Sequence, residues 1–429
     1  MRTPPPQSRP AERPRPAPAN GPSADSSHGP RQGSSHGPST GSQPGARPGP
    51  WTAAEPLSVV IGAGGTGGHI YPGLALAEAL RRAVPEAVIS FVGTTRGLET
   101  ELIPGAGHRL HTVDMIPFDP SLGARRYLLP AALLRSGAQC RTILRAQRAH
   151  IAVGMGGYPS APVILGARLA GLPSLIHESN AVPGRANQFA ARLTPHLAVA
   201  FDRSRAHLSG GENALTTGMP IAAALAGLDR SSLREHARRE LSVPDGARLL
   251  LVNGGSLGAA RLTEAAIGLA QRWHGRTDVH LLIKTGPAAL EETRRRLGDS
   301  PVARAVPYLD RMDLAYAAAD LVVSRAGAAT VAELATTGVP AVLVPYPHAP
   351  GDHQTHNARV LTDAGAGLLL PDADTTAERL DALTAPLLAD PARLAAMSTA
   401  ADPGPHARAA DLLAARVLEL ASHTKEYAA

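Results

Sequence analysis

The chain contains two copies of one local pattern, in which an apolar segment runs into a glycine-rich loop and then into a helical segment. The first copy places residues 57–61 before the loop 62–69, and the second places residues 249–253 before the loop 254–261. Such a unit is typical of a strand, a turn and a helix whose backbone amides can bind an anion. The repeat predicts two similar α/β domains, and a length of 429 residues suits two domains and a tail.

Short apolar segments alternate with helical segments through most of the chain. Strands are predicted at 57–61, 88–92, 151–154, 173–177, 249–253, 279–284, 320–324, 341–345 and 367–370. Helices are predicted at 72–83, 160–170, 259–273, 328–337, 353–364 and 376–389. Continuous apolar strands separated by helices indicate parallel sheets covered on both faces. We therefore predict two Rossmann-like domains that face each other, with a ligand between the carboxyl ends of their strands.

The predicted domain boundaries follow changes in composition. Residues 1–56 are rich in Pro, Gly, Ser and Arg, and such a segment buries too little apolar surface to fold, so we expect a disordered tail. The first domain is predicted over 57–217 and the second over 218–404. A last helix, near 406–421 within 405–429, is expected to pack back on the first domain before a short tail.

Composition excludes several classes of protein. The formal charge is +6, but half of this excess lies in residues 1–56, so the folded part lacks the basic surplus of a nucleic-acid-binding domain. Cys140 is the single cysteine, which excludes a disulfide framework or a thiolate zinc site within one chain. We expect neither a secretory signal nor a membrane-spanning helix, and hence a cytoplasmic protein able to touch a membrane.

The first glycine-rich loop resembles a dinucleotide fingerprint, because Gly62, Gly64 and Gly67 have the required spacing. That fingerprint also needs an acidic residue at the end of the second strand, and residues 91–95 contain none, so we expect no nicotinamide cofactor. An anion at the helix N-terminus remains the better interpretation. His69 lies at this terminus, either facing the cleft between the domains or capping the turn.

Two further loops follow strands of the first domain. Residues 154–162 place three glycines within four positions, a composition that suits a loop for an anion better than a strand. Residues 177–187 bring His177, Glu178 and Asn180 to the end of the next strand, where sugar hydroxyls need paired donors and acceptors. The alternative is that these polar residues only form a turn.

The second domain carries a matching set of groups. The loop 254–258 can bind a phosphate through its amides and the Ser256 hydroxyl. Residues 324–333 run from a strand through Gly327 into a helix, where Glu333 can accept both ribose hydroxyls while the helix N-terminus favours a diphosphate. The alternative is that Glu333 only complements the helix dipole.

Two polar segments lie further along the chain. Residues 345–357 form a polar loop leading into a helix, with Gln354 and Asn357 one helical turn apart. Asp372 and Asp374 match a D-x-D pattern that binds a metal in some enzymes, but we interpret them as part of a surface loop and expect no metal site.

Five of these motifs, in this order, resemble the MurG family: GGTGGH at 64–69, GMGGY at 154–158, HESN at 177–180, GGS at 254–256 and RAGAATVAE at 325–333. The resemblance covers residues 57–420. Members of this family join N-acetylglucosamine to a polyprenyl-pyrophosphate-linked N-acetylmuramyl-pentapeptide in peptidoglycan synthesis, which serves cell-wall growth, cell shape and division.

The resemblance implies the GT-B fold, with a first domain for the acceptor and the membrane and a second for UDP-N-acetylglucosamine. It implies no metal or other cofactor, and inversion at the anomeric carbon by direct displacement. Glu333 would hold the ribose, Ser256 the phosphates and the Leu309 backbone the uracil. The full set of implied donor contacts is Thr66, Gly67, Gly68, Asn180, Ser256, Leu309, Ala328, Ala329, Thr330, Val331, Ala332, Glu333 and Gln354.

The resemblance also implies which residue acts on the acceptor. His69 is the first candidate for deprotonating or orienting the 4-hydroxyl of the acceptor, with His177 and Glu178 as rivals. A general base contributes roughly 10²–10⁴-fold to the rate.

Residues 116–145 interleave leucines with arginines. A surface of this kind can rest on an anionic leaflet and receive a lipid-linked substrate, which predicts peripheral contact with the cytoplasmic face of the cell membrane. The alternative is an ordinary amphipathic helix that packs on the core.

One position departs from the family pattern. Members of the family carry an arginine near the donor two residues after the proline of the Thr217–Pro220 motif, and this chain has Ala222 there. Losing a charge-assisted hydrogen bond to a diphosphate costs on the order of 1.5–3 kcal/mol. A paralogous transferase with another acceptor, a binding module without activity, and a sugar-nucleotide epimerase therefore remain alternatives.

Overall fold

The computed structural model describes residues 56–115, 128–255 and 259–426. The predicted tail lies outside these ranges apart from its last residue. Ser256 and residues 116–127 of the leucine- and arginine-rich segment also lie outside them.

The first half of the chain forms a parallel sheet. Its described strands are β1 (Ser58–Gly62), β2 (Val88–Gly93), β3 (Arg109–Thr112), β4 (Ile151–Gly154), β5 (Ser174–Glu178), β6 (His196–Val199) and β7 (Leu215–Thr216). Their order is β3-β2-β1-β4-β5-β6-β7, with every pair parallel. The order reverses between β1 and β4, so the two glycine-rich loops that follow these strands lie at a topological switch point, where open α/β sheets bind ligands.

The second half repeats this arrangement. Its described strands are β8 (Arg248–Asn253), β9 (Val279–Lys284), β10 (Ala303–Val306), β11 (Leu321–Ser324), β12 (Ala341–Leu343) and β13 (Gly367–Leu369). They are ordered β10-β9-β8-β11-β12-β13, again all parallel. The order matches the first six strands of the first sheet, which confirms the prediction of two Rossmann-like α/β domains.

Helices cover both sheets. In the first half they are α1 (Gly67–Ala83), α2 (Glu99–Gly105), α3 (Leu129–Ala146), α4 (Ser160–Ala170) and α5 (Arg185–Ala190). In the second half they are α6 (Ala223–Ala226), α7 (Arg230–Glu240), α8 (Ala260–Arg272), α9 (Pro287–Leu297), α10 (Met312–Ala318), α11 (Ala328–Thr337), α12 (His353–Asp363), α13 (Ala377–Ala389), α14 (Pro391–Ala400) and α15 (Ala409–Glu426). None of the helices in the described ranges is long and apolar enough to cross a membrane.

Strand β8 shows why the apolar runs are continuous. Leu249 and Leu251 belong to one buried cluster, whereas Leu250 and Val252 belong to another. Successive side chains of a strand point to opposite faces, so a sheet covered by helices on both faces needs apolar residues at every position.

Helix α15 returns to the first sheet at the end of the chain. Its Leu413 and Val417 are fully buried in the same apolar cluster as Leu76 and Leu80 of α1. The end of α1 opposite the glycine-rich loop is therefore held by the last helix of the chain.

Candidate active site

The first glycine-rich loop is held by a carboxylate that sequence analysis missed. Glu99 is fully buried, and its side chain accepts hydrogen bonds from the backbone N–H of Gly65 (3.0 Å) and of Thr94 (3.2 Å) and from the Thr94 hydroxyl (2.6 Å). The loop leads into α1, which begins at Gly67 and not at Pro72 as predicted. Thr66 is the N-cap of α1, so Gly67 and Gly68 supply amides at its positive end.

His69 lies in the first turn of α1 and is partly buried. Its ring packs on the second glycine-rich loop, where a Cβ added at Gly156 would lie 2.5 Å from His69 Cδ2. Its Nδ1 is 3.4 Å from the Thr66 hydroxyl. Burial lowers the pKa of His69 to about 4, with a further lowering from His353 of the second half. A hydrogen bond to the Gly64 backbone acts in the opposite direction, and the imidazole is neutral at pH 7.

The two glycine-rich loops of the first sheet touch each other. Gly157 has a φ of +75°, and a Cβ there would lie 2.3 Å from the carbonyl oxygen of Gly64. The neighbouring Gly156 N–H donates to the buried Ser160 hydroxyl (2.6 Å) at the start of α4. Only glycine fits this contact, which positions His69 between the two loops.

His177 and Glu178 are buried at the end of β5. His177 Nε2 donates to the Gly218 carbonyl (2.9 Å) in the segment that joins the two sheets, and burial lowers its pKa to about 4. Glu178 accepts from the N–H groups of Asn180 (2.8 Å) and Gly184 (3.2 Å) and from the Asn187 amide (2.9 Å), and burial raises its pKa to about 6. Both side chains are buried and bind neighbouring parts of the chain, whereas His69 is only partly buried. His69 is therefore the most accessible of the three proposed bases.

Asn180 connects the two halves of the molecule. Asn357 of α12 donates to the Asn180 side-chain oxygen (3.2 Å) and to the Ala326 carbonyl (3.2 Å), and it accepts from the Ala181 N–H (2.8 Å). Asn357 is fully buried. The hydroxyls of Tyr71 in α1 and Tyr308 after β10 form a further hydrogen bond between the halves. The carboxyl ends of the two sheets thus face each other.

The N-terminus of α11 lies at the carboxyl edge of the second sheet, just after β11. Gly327 is its N-cap and provides no side-chain hydrogen bond, so the amides of Ala328, Ala329 and Thr330 have no partner within the helix. The side chains of Val331 and Ala332 are fully buried in the core, so a ligand could reach these two predicted contacts only through the backbone.

Glu333 lies one turn further along α11, within a group of polar residues. The Tyr316 hydroxyl donates to Glu333 Oε2 (2.9 Å), and the Lys284 ammonium acts on the same carboxylate through its charge. Burial raises the pKa of Glu333 to about 7, while Tyr316 and Lys284 act in the opposite direction. Sequence analysis identified Glu333 but missed these two partners, because Tyr316 lies within an apolar helical segment and Lys284 ends an apolar strand.

The remaining predicted donor contacts lie at the same edge of the second sheet. Leu309 is 8% exposed and follows Tyr308 in the loop after β10. Gln354 of α12 accepts from the N–H groups of Ala326 (3.2 Å) and Tyr346 (2.9 Å), so its oxygen joins the loops after β11 and β12. Ser256 lies outside the described residues.

The structure also shows the surroundings of Ala222 and of the D-x-D segment, which sequence analysis had set apart. Ala222 is an exposed N-cap of α6, a short helix whose Leu225 packs in the same cluster as Val331. Asp372 is not simply a surface residue: its side chain is 11% exposed and pairs with Arg325 (2.6 Å) and Arg261 (3.1 Å). The D-x-D carboxylate thus serves an ion-pair network, and the described part of the chain has no cluster of three or more His, Cys, Asp or Glu arranged to hold a metal.

Comparison with known proteins supports this geometry. Residues 59–198 match the N-terminal domain of glycosyltransferase family 28, and residues 249–414 match its C-terminal domain. A crystal structure of MurG from Acinetobacter baumannii superposes with a TM-score of 0.66 at 28% identity, covering 85% of this chain and 100% of that one. A UDP-GlcNAc 2-epimerase from Neisseria meningitidis, with a TM-score of 0.60, shares 11% identity and shows the fold alone.

Two curated relatives are closer in sequence. Both are named UDP-N-acetylglucosamine–N-acetylmuramyl-(pentapeptide) pyrophosphoryl-undecaprenol N-acetylglucosamine transferase. The protein from Desulforudis audaxviator is 41% identical over 80% of this chain and 93% of its own length. The protein from Mycobacterium tuberculosis H37Rv is 41% identical over 86% of this chain and 90% of its own length.

The two facing Rossmann-like sheets form the GT-B fold, and the two family matches identify the chain as a glycosyltransferase. The chain belongs to glycosyltransferase family 28 and, within it, to the MurG family.

Proposed function

We propose that this chain transfers N-acetylglucosamine from UDP-N-acetylglucosamine to the 4-hydroxyl of a polyprenyl-pyrophosphate-linked N-acetylmuramyl-pentapeptide. The observation that carries the proposal is the 41% identity, over four fifths of the chain, with relatives named for this reaction. The product is the lipid-linked disaccharide precursor of peptidoglycan.

The second domain, proposed over 218–404, binds the donor. Glu333 accepts the ribose hydroxyls, the Leu309 backbone contacts the uracil, and Ser256 contacts the phosphates. The amides of residues 328–330 stabilise the diphosphate, since a helix N-terminus carries roughly half a positive charge. The same amides stabilise the UDP that leaves as the bond to the anomeric carbon breaks. Gln354, Thr66, Gly67, Gly68 and Asn180 complete the proposed donor contacts.

The first domain, proposed over 57–217 and completed by 405–429, binds the acceptor. His69 takes the proton of the 4-hydroxyl as its oxygen attacks the anomeric carbon from the face opposite UDP. This displacement inverts the α linkage of the donor to a β linkage. The partial exposure of His69 supports it over His177 and Glu178, which are 0% and 2% exposed.

Helix α3 is proposed to rest on the cytoplasmic leaflet of the cell membrane. It buries Ser136, Gly137, Cys140 and Leu144, while Leu134 is 60% exposed and Leu128, just before the helix, is 57% exposed. An apolar surface beside arginines suits an anionic leaflet. Replacing both exposed leucines by serine is expected to reduce cosedimentation with anionic phospholipid vesicles. The matched control replaces Leu215 and Leu369, which are 45% and 41% exposed elsewhere; equal binding by both double variants would contradict the assignment.

The transferase activity is tested by UDP release from UDP-N-acetylglucosamine with and without the lipid-linked muramyl-pentapeptide. The proposal predicts release that depends on the acceptor. The variant Ala222→Arg is expected to bind the donor more tightly, because it adds a cation beside the N-terminal region of α11. A wild-type protein that binds the donor but shows no acceptor-dependent turnover would overturn the proposed acceptor and favour a paralogous or non-catalytic role.

A further inference from the structure

Asp372 is a nearly buried carboxylate that binds two arginines. It lies just after β13, and its side chain is 11% exposed. Its Oδ1 accepts a hydrogen bond from Arg325 Nη1 (2.6 Å), and its Oδ2 pairs with Arg261 Nε (3.1 Å). Asp374, two residues further on, is exposed. A carboxylate with so little contact with solvent needs charged partners, and each oxygen of Asp372 has one.

Arg325 joins several loops at the carboxyl edge of the second sheet. It lies between β11 and α11, and its side chain is 12% exposed. Besides binding Asp372, its Nη1 donates to the carbonyls of Val344 (3.3 Å) and Pro345 (3.2 Å), which follow β12. Its backbone N–H donates to the Asn253 carbonyl (3.4 Å) at the end of β8. The segment that leads into α11 is therefore fixed to the segments that follow β8, β12 and β13.

Arg261 brings a further helix into this network. It is the second residue of α8, which begins at Ala260 directly after the glycine-rich loop of the second half. Its side chain is 54% exposed, so its pair with Asp372 contributes little to stability by itself. The pair nevertheless connects two helices, because Asp372 is held on its other side by Arg325. One carboxylate thus links the first turn of α8 to the segment that leads into α11.

The two helices that Asp372 links are the ones proposed to bind the donor diphosphate. Ser256, in the loop before α8, and the amides of residues 328–330, at the start of α11, are proposed to contact the same small group. Hydrogen bonds weaken steeply when distance or angle departs from the preferred geometry, so both helices must keep a fixed spacing. A carboxylate repels a diphosphate, so the arginines that Asp372 holds explain its place at this edge better than a contact with the ligand would.

We propose that Asp372 is a positioning residue for donor binding, which holds Arg325 and Arg261 and so keeps the N-termini of α11 and α8 at the spacing that the diphosphate requires. The inference rests on the proposed function, since it requires that the diphosphate binds between these two helices.

Calorimetric titration of the full chain with UDP-N-acetylglucosamine tests the proposal with Asp372→Asn. An amide has one acceptor oxygen and no charge, so it cannot bind both arginines. Donor affinity is expected to fall about tenfold, the value of one hydrogen bond to a charged group. The KM for the donor should rise by the same factor, while the KM for the lipid-linked acceptor stays the same.

The sign of the change separates positioning from a simple effect of charge. If Asp372 acted on the diphosphate through its charge alone, removing that negative charge would strengthen binding. Unchanged or tighter binding of the donor by Asp372→Asn would therefore overturn the proposal.

Two matched aspartates control for local charge and for stability. Asp374→Asn removes an exposed carboxylate from the same segment and should keep wild-type donor affinity. Asp320 is 5% exposed and pairs with Arg234 (2.8 Å) and Arg248 (2.9 Å), but it lies before β11, at the opposite edge of the sheet. Asp320→Asn should melt at a lower temperature and, below that temperature, bind the donor as the wild type does. A tenfold loss of donor affinity in Asp320→Asn as well would show that destabilisation alone weakens binding, and would overturn the role of Asp372.

A double-mutant cycle tests the link between the two helices. Arg261→Met, at an exposed position, is expected to weaken donor binding by about threefold. The double variant of Arg261→Met and Asp372→Asn is expected to bind no more weakly than Asp372→Asn, because both changes break the same link. Fully additive losses would show that Arg261 acts independently of Asp372 and would refute the link.

The wild type distinguishes a failure of this inference from a failure of the proposed function. If the folded wild-type protein does not bind UDP-N-acetylglucosamine, the assignment of the donor site is wrong, and the inference fails with it. If the wild type binds the donor and shows acceptor-dependent turnover while Asp372→Asn matches it in both, the proposed function stands and only the role of Asp372 is refuted.

Discussion

At the scale of single residues, the protonation of His69 is the central question. Burial gives His69 a pKa of about 4, so in the free protein it is neutral but weakly basic. Two bound diphosphates would raise that pKa, because nearby negative charge favours the imidazolium. The substrates themselves would therefore make His69 a better base when it is needed.

Two variants separate a proton-accepting role of His69 from an orienting role. His69→Ala and His69→Gln are both expected to reduce kcat by roughly 10²–10⁴-fold, because neither side chain can accept a proton. Donor affinity, measured by calorimetry, is expected to change little. If His69→Gln kept near-wild-type kcat, the residue would orient the acceptor by hydrogen bonding and would not be the base.

His406 predicts how stability depends on pH. It is 5% exposed, accepts a hydrogen bond from the Met219 N–H (2.9 Å), and burial lowers its pKa to about 4. In the unfolded chain a histidine binds a proton near pH 6.5, whereas folded His406 stays neutral until about pH 4. The unfolded state thus binds more protons in this window, and the free energy of unfolding falls as pH drops from 6.5 toward 4.

Urea unfolding at pH 7.5, 6.0 and 5.0 checks this expectation. His406→Gln is expected to be less stable at pH 7.5 by about 1–3 kcal/mol, because a buried donor loses its partner. It should also lose less stability on acidification than the wild type. His236→Gln, at an exposed site on α7, is the control and should follow the wild-type curve. Parallel curves for His406→Gln and wild type would contradict the account.

At the scale of elements, the contact between the two glycine-rich loops can be tested with a matched pair of glycines. Gly157 and Gly171 have nearly equal φ values, +75° and +74°, but a Cβ at Gly171 meets nothing within 4 Å. Replacing either by alanine costs about 1 kcal/mol for the left-handed backbone. Gly157→Ala is expected to cost roughly 1–3 kcal/mol more and to reduce kcat, because its methyl group displaces the Gly64 carbonyl and His69. Equal melting temperatures and equal activities would show that the contact is unimportant.

Most strands that contain an apolar run could be predicted from the sequence, and the strands without such a run could not. The apolar runs of β1, β4, β8 and β9 are recognisable in the sequence, because a sheet covered on both faces favours apolar residues on both sides of each strand. The edge strand β3 has the sequence RLHT and is half exposed, and β10 carries an exposed Arg304, so neither shows an apolar run. Strand β7 has two residues and leaves no pattern.

The site was partly predictable for the same physical reason. Glycines and polar residues that follow parallel apolar strands gather at the carboxyl edge of their sheet. The sequence alone therefore predicts that His69 lies at this edge of the first sheet, and that Glu333 and Gln354 lie at this edge of the second. Glu99 and Lys284 were missed, because their partners Gly65 and Glu333 are distant in the chain and only the folded sheets bring them together. The link between Asn180 and Asn357 depends on how the two halves meet and leaves no local signal.

At the scale of the whole molecule, α15 joins the end of the chain to the first sheet. Leu413 is fully buried against α1, whereas Asp411 pairs with Arg82 (2.8 Å) at the surface, with its side chain 69% exposed. Leu413→Ala is expected to destabilise the protein by about 2–5 kcal/mol. Asp411→Ala is expected to cost less than about 1 kcal/mol, because exposed ion pairs are screened by solvent.

Urea unfolding of these two variants measures the difference. Because α1 carries His69 at its other end, Leu413→Ala is also expected to lose activity at a lower temperature than the wild type. Similar small effects from both variants would show that α15 is not part of the folded first domain.

The most direct test of the central claim is the structure of the product. Purified protein is incubated with UDP-N-acetylglucosamine and the lipid-linked muramyl-pentapeptide, and the product is analysed by mass spectrometry and NMR. The account predicts one N-acetylglucosamine added per UDP released, in a β linkage to the 4-hydroxyl of the muramyl sugar, and little product with Glu333→Gln. An α linkage, another hydroxyl, or no transfer by a protein that binds UDP-N-acetylglucosamine would contradict it.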